Sequence, residues 1–471
     1  MDEYGDVTAY LDRERESLFS LAREIWERPQ TGFKETYASR LIASALVEAG
    51  FRVRKPLAGM DTAFVVEWGE GTPVVGILGE YDALPGLSQK VSTTRQAVEP
   101  DAPGHACGHN LLGIAGLGAA LAARRFMEEN GVAGTLRYFG CPAEETLMGK
   151  VFMAREGVFD GVDAMFTWHP MYANTIWAAS SAALNSFKFS FHGRSAHAAS
   201  SPEAGRSALD AVMLADIGMN YLREHIIQDA RIHCVVTHGG EAPNIVPAFA
   251  QSWYYVRAPR RSQVEEIYER VLDVARGAAL MTGTSLDIEL VAACHEYLPN
   301  EALQRVLLET MTTLGPPSFD GEDIALAAGL QSTLPEGAVD DALRAYGLSR
   351  EEVGDPLCTM VLDEVGTLCK GTVQPVSTDV GDVSHVAPTA QLTACCMPLG
   401  VPLHSWQAVA SCGSTIGLKT MLWVAKVLAV TVLVVLRSPD VLRAAQDEFT
   451  TNMGGKRYEC PIPADLKPPG A

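Results

Sequence analysis

Apolar positions recur at helical spacing over residues 7–27, where the pattern runs out before Pro29, and again over about 35–49, closed by Gly50. Two short apolar runs, 63–68 and 74–78, predict buried strands. A loop follows, then a long helix rich in small residues (111–129), a strand (135–139), a helix, and another strand (164–168). Strands alternating with helices predict an α/β fold, a mostly parallel sheet with helices on both faces. In such sheets, functional side chains collect where strands end and loops begin. Near Ala183 the texture changes: Phe187, Phe189 and Phe191 alternate with Lys188, Ser190 and His192, the period of a half-exposed antiparallel strand. A helix (204–224), two strands (232–237 and 251–257), a helix (264–279) and a strand (285–292) follow. That βαββαβ order predicts a smaller α+β unit inserted into the larger one. The helical pattern resumes at Asn300, 315–373 is irregular with short helices only, and 455–471 reads as a surface tail. The expected organisation is a first domain in two parts, 1–182 and 294–471, interrupted by a second at 183–293.

With 471 residues, 47% of them hydrophobic and 20% charged, the chain has the length and composition of a folded protein of two domains. Acidic residues outnumber basic ones by 57 to 37, a formal charge of −20 that repels nucleic acid and anionic membrane surfaces, so neither is expected as a partner. The ten cysteines show no pairing framework, and the opening MDEYGDVTAY is acidic and polar, unlike an export signal. A cytoplasmic location with reduced thiols is the expectation. The stretch 421–436 is strongly apolar but short and carries Lys426, which predicts a buried helix, with a neighbouring strand as an option, rather than a membrane span.

The densest candidate chemistry is Pro103-Gly104-His105-Ala106-Cys107-Gly108-His109-Asn110, directly before the long helix. A thiolate and an imidazole at a loop-to-helix junction can address one borderline metal ion. A buried cysteine beside capping polar residues is the plain alternative, and the motif alone does not decide. Three further loops add weight. Cys141-Pro142-Ala143-Glu144-Glu145 follows one strand, Trp168-His169-Pro170 ends the next, and Pro402-Leu403-His404-Ser405-Trp406 precedes the terminal apolar helix. Adjacent carboxylates at a helix start usually serve the dipole; after a buried strand, one can bind a metal while its neighbour moves protons. Ligand-type residues at four separate loops outweigh coincidence.

The strings GEYDALPG, PGHACGHNLLG, CPAEE, WHP, GRSAHAA, NIVP, STDVGDVS, VPLHSWQ and YECPIP occur in this order along nearly the whole chain. In that ordered set the sequence resembles the aminoacylase and carboxypeptidase-type family of dinuclear metallopeptidases, in its branch of aminobenzoyl-glutamate and auxin-conjugate amidohydrolases. The resemblance implies two divalent ions per chain, zinc or manganese, held by Cys107, His109, Glu145, His169 and His404. It implies Glu144 as general base and Asp82 as the aspartate supporting the metal ligands. It makes 183–293 a lid and dimerisation domain. There, His197 would reach the neighbouring subunit's site, and Asn244 and Arg257 would hold the substrate, Arg257 by its carboxylate. By spacing alone, those three read as surface residues. Two positions depart from the family pattern. Glu80 stands where distant relatives have a metal-binding histidine, and His385 stands where an aromatic residue is expected, as a substrate contact or a loop histidine. The implied activity is hydrolysis of an N-acyl amino acid such as p-aminobenzoyl-glutamate, in a homodimer, with a paralogous subunit as a possible partner. A dipeptidase, an auxin-conjugate hydrolase and an aromatic amide or amine aminohydrolase are alternatives within the family; an inactive metal-bound subunit is the alternative outside it. A redox role for Cys107 or Cys141 lacks a Cys-x-x-Cys pair.

Overall fold

The computed structural model describes residues 2–345, 348–353, 356–363 and 369–469. Its strands are β1 (Arg52–Arg54), β2 (Phe64–Glu70), β3 (Val74–Glu80), β4 (Gly134–Cys141), β5 (Ala164–Met171), β6 (Thr175–Ile176), β7 (Ser180–Ser181), β8 (Ala183–His192), β9 (Arg231–His238), β10 (Phe249–Ala258), β11 (Ser285–Cys294), β12 (Val373–Gln374) and β13 (Thr389–Cys395). A seven-stranded sheet runs β1-β2-β4-β3-β5-β13-β6. Its centre, β4-β3-β5-β13, is parallel, while β1, β2 and β6 pair antiparallel at the margins. β3 and β13 are buried at every position, as parallel strands covered on both faces are.

The helix His109–Asn130 lies on this sheet and packs against the helix Thr415–Leu436. Glycines in the former allow the approach: a Cβ on Gly113 would sit 2.8 Å from the Glu80 carbonyl oxygen. The apolar run 421–436 is therefore a single helix with no strand in it. Among the described residues this helix is the one long and apolar enough to cross a membrane, and most of that stretch is buried inside the protein. The expected helix over 7–27 is two, Gly5–Arg13 and Arg15–Glu27. β13 lies inside a region expected to be helical or irregular. In 315–373 the helices Gly321–Gln331, Ala338–Ala345 and Arg350–Val353 form; 346–347, 354–355 and 364–368 lie outside the described residues.

The second sheet, β11-β8-β10-β9, is antiparallel throughout and carries the helices Ala208–Leu222 and Arg261–Thr282 on one face. This is the βαββαβ order read from the pattern. Phe187, Phe189 and Phe191 face those helices and are fully buried with Tyr254 and Val256. β9 is an edge strand exposed over most of its length.

Candidate metal centre

β3, β4 and β5 run in the same direction and deliver their C-terminal ends to one place. β3 ends in Glu80 and is followed by Asp82; β4 leads to Glu144 and Glu145; β5 contains His169. Cys107 and His109 flank Gly108, the residue capping the long helix, whose φ is +74°. A Cβ there would lie 2.8 Å from Pro170 Cγ and 3.0 Å from Cys412 Sγ, so only glycine lets the thiol and the imidazole flank this turn unstrained. The carboxylate pair sits in a tight turn, Glu144–Thr146, between Ala143 and Leu147 at φ of 58° and 60°. His404 has φ 59°, and its N–H bonds the Ala106 carbonyl at 3.2 Å. Left-handed backbone at non-glycine residues costs about 1–3 kcal/mol each, and it concentrates here.

The side chains converge. Cys107, His109 and His169 bring one ligand-type atom each within 4.8 Å of one another, and so do Cys107, Glu145 and His404. Cys107 belongs to both groups. Its Sγ lies 3.3 Å from His169 Nε2, and His404 Nε2 lies 3.3 Å from Glu145 Oε2. Asp82 fixes the arrangement: Oδ1 accepts from His109 Nδ1 at 2.9 Å, and Oδ2 accepts the Glu145 backbone N–H at 2.9 Å. His169 Nδ1 donates to the Pro170 carbonyl at 2.9 Å. Both histidines therefore anchor Nδ1 and turn Nε2 into the centre, as metal-binding histidines do.

Sequence reasoning assigned no role to three buried residues here. Glu80 Oε2 lies 3.4 Å from His109 Nε2, and Glu80, His109 and Glu144 form a further cluster of ligand-type atoms. Glu80 Oε1 meets Lys150 Nζ at 2.7 Å, and Lys150 also pairs with Asp379, whose other oxygen accepts the Lys150 N–H. Burial opposes the lysine's charge, but Asp379 and Glu80 outweigh it and hold Lys150 well above its ordinary range. A lysine directly before the apolar run Val151-Phe152-Met153-Ala154 of the helix Gly149–Arg155 was the signal, and for Lys150 alone.

The residues fit a bound cation. His109 Nε2 and Glu145 Oε1 are buried with no hydrogen-bond partner. Burial, then Glu80, pushes Glu144 up to about 8. Burial pushes Glu145 to about 7, and burial followed by Glu145 pushes the Cys107 thiol well above its usual range. So many ionisable groups in one buried place need a positive partner to stay charged.

The centre opens into a cavity of about 680 Å³, lined by Cys107, Glu144, His169 and His404 together with Trp177, whose ring lies edge-on to His169, and Arg257. Arg257 comes from β10 of the second sheet; its Nε is buried without a partner. His197 and Asn244 are exposed and do not line this cavity. They are neighbours, joined by the Ala198 N–H to Asn244 carbonyl bond of 3.0 Å. His197 Nδ1 accepts from the N–H groups of Ala199 and Ser200, at 3.2 and 3.1 Å, which leaves Nε2–H as an outward donor. His385, expected as a substrate contact or a loop histidine, does not line this cavity. Its Nε2 bonds the Glu296 carbonyl at 3.1 Å, and it lines a different cavity, of about 460 Å³.

Residues 181–280 match the family profile described as the peptidase dimerisation domain. The fold is like that of a dinuclear metal binding peptidase from the M20 family of Bacillus subtilis, with a TM-score of 0.57, 17% identity, and 90% of this chain and 99% of that one covered. The chain belongs to the M20 family of peptidases, hydrolases of amide bonds. Membership rests on particular relatives. Over 473 residues the chain is 40% identical to one of the subunits of the p-aminobenzoyl-glutamate hydrolase of Escherichia coli K12, spanning 99% of this chain and 98% of that protein. It is 33% identical over 339 residues to the Xaa-Arg dipeptidase of Mus musculus, 69% of this chain and 74% of that protein.

Proposed function

We propose that this enzyme hydrolyses the amide bond of an N-acyl amino acid of the p-aminobenzoyl-glutamate class, with two divalent ions, zinc or manganese, held by Cys107, His109, Glu145, His169 and His404. The observation that carries this reading is that Cys107 is common to two ligand groups, with Glu144 beside them and a cationic side chain, Arg257, lining the same cavity. A bound pair of divalent ions supplies Lewis-acid polarisation of a carbonyl and a water acid enough to attack it at neutral pH. The protein's own groups do the rest. Glu144 takes the proton from the attacking water and returns it to the departing nitrogen, without which an amine is a poor leaving group. Asp82 keeps His109 in the tautomer that binds. Arg257, with its unpartnered Nε, receives the carboxylate of the amino-acid half. Trp177 and its apolar neighbours pack against the aromatic acyl half.

We assign His197 and Asn244 to the site of a second subunit. Their exposure and the outward Nε2–H of His197 favour donation to an oxyanion across a homodimer. The division 1–182, 183–293 and 294–471, with the middle part as lid and dimerisation domain, belongs to the same proposal. So does a cytoplasmic location, which suits ten free thiols. The experiment is metal analysis joined to a hydrolysis panel of p-aminobenzoyl-glutamate, N-acetyl amino acids and Xaa-Arg dipeptides. Two ions per chain, loss of activity with a chelator, and highest kcat/KM on the aromatic acyl-glutamate are expected. An active protein with at most one ion per chain, indifferent to chelator, would overturn the metal assignment; a preference for dipeptides would move the substrate class.

A further inference from the structure

We infer that His295, Glu296 and His385 form an additional cation site, for a borderline divalent transition metal held by two imidazoles and a carboxylate, at the seam where the second sheet returns to the first. The three residues bring one ligand-type atom each within 4.8 Å of one another, and the two imidazole centroids are 4.4 Å apart. None of the three lines the catalytic cavity. The hydrogen bonds fix both tautomers. His295 Nε2 lies 2.9 Å from the Glu459 carbonyl oxygen and His385 Nε2 lies 3.1 Å from that of Glu296. A carbonyl only accepts, so each Nε2 is a donor and each Nδ1 is the nitrogen left to take a ligand. A metal-binding histidine is held in this way, with its far N–H on a backbone carbonyl.

His295 is 8% exposed, and its Nδ1 is buried with no hydrogen-bond partner. An orphaned acceptor of this kind has lost its hydration with nothing in return unless something occupies it. Glu296 is equally enclosed, at 9% exposure; one oxygen accepts the Arg261 backbone N–H at 2.8 Å. The Arg261 guanidinium is committed elsewhere, to the Leu184 carbonyl and Glu265, so among the described residues no ion pair neutralises the Glu296 carboxylate. Two nitrogen lone pairs and an unneutralised carboxylate are a donor set for zinc, cobalt, nickel or copper rather than for calcium or magnesium. Access exists through the cavity of about 460 Å³ that His385 lines together with Tyr458 and Cys460.

The position gives such an ion a structural task. His295 and Glu296 directly follow β11, His385 closes the short helix Val380–Ser384, and the Glu459 carbonyl belongs to the C-terminal tail. Asp382 already ties these segments, accepting from the His295 N–H at 3.1 Å and the Tyr458 hydroxyl at 2.9 Å. A cation would add a second fastening at the same seam.

The test separates this site from the catalytic one. Every catalytic ligand group contains Cys107 or His109, so the full-length Cys107→Ala/His109→Ala protein has none intact. Stripped of metal and titrated with Co2+, it is expected to bind one ion per chain, with nitrogen-ligand d–d absorption and a rise in Tm. Adding either His385→Phe or His295→Gln should abolish both signals, with folding checked by circular dichroism and gel filtration. No cobalt uptake, or uptake unchanged by both additional substitutions, overturns the site. If those combinations do not fold, His385→Phe alone decides: one ion per chain fewer than the wild type supports the site, and an unchanged count refutes it. Failure of the catalytic assignment would leave this outcome untouched, because the seam is read in a protein without that centre.

Discussion

Asp82 shows how much of the centre is decided by single oxygen atoms. One of its oxygens sets the His109 tautomer and the other fixes the backbone of Glu145. Asp82→Asn keeps the shape but can satisfy only one of these donors. Metal affinity is expected to fall about 10–100-fold, read by competition with a chelator, while the fold survives. Glu144→Gln separates chemistry from binding. It should keep its metal and its substrate affinity and lose roughly 10²–10⁴ in kcat; near-normal turnover would send the search for the base elsewhere. Glu35 acts on the turn itself, accepting the Ala143 N–H at 2.8 Å while its other oxygen is buried without a partner. Burial, and then the Asp82 charge, raises Glu35 from its ordinary 4.5 to about 8. Between these values the unfolded chain has released a proton that the folded one retains, so stability is full below pH 4.5 and declines as pH rises through 8. Glu35→Gln should therefore gain Tm over the wild type progressively from pH 4.5 to 8 and show no such gain at pH 4. Parallel Tm curves would mean that Glu35 is ionised in the folded protein. At this scale the residues legible in the sequence were those whose type is unusual at a strand end or a helix start: His169 and the pair Glu144–Glu145 at the former, Cys107 at the latter. Glu80, Lys150 and Asp379 were not, because a lysine and two acids far apart in the chain give no sign that folding buries them together.

Among the elements, those with a clear period were readable from the chain. The alternation of Phe187, Phe189 and Phe191 marks β8, and the βαββαβ order around it follows from the spacing of its neighbours. β13 escaped because both its faces are buried, which removes the alternation, and because Thr389, Gln391 and Thr393 dilute its apolar character. The break at Glu14 in the first helical stretch was equally hidden, since the apolar period continues across it. Gly108 belongs to this scale, because it sets where the long helix begins and how Cys107 and His109 flank the turn. Gly108→Ala meets both a positive φ and the side chains of Pro170 and Cys412. A loss of about 1–3 kcal/mol is expected, with metal occupancy falling further than Tm does. An alanine variant with full occupancy would show that the turn tolerates a shift.

For the whole molecule, the arrangement of the two sheets raises a question that one chain does not answer. Arg257 reaches the catalytic cavity from the second sheet, but His197 and Asn244 of the same sheet's domain do not. The second sheet also leaves an edge unpaired: β9 presents Val235 and Val236, 54% and 51% exposed. An apolar free edge is a template for a neighbouring strand, and residues 181–280 match a dimerisation profile. Dimerisation along that unit would carry His197 of one subunit toward the other's centre. Mixing two inactive variants tests this. In a hybrid of Glu144→Gln with His197→Ala, one site holds both defects and the other holds neither, so activity should partly return as subunits exchange, toward half the wild-type value per hybrid dimer. The parents must each be nearly dead and the hybrids must be seen by native mass spectrometry. If hybrids form and activity stays at the sum of the parents, His197 does not serve a neighbour's site, and the oxyanion donor must be sought within the chain that holds Glu144.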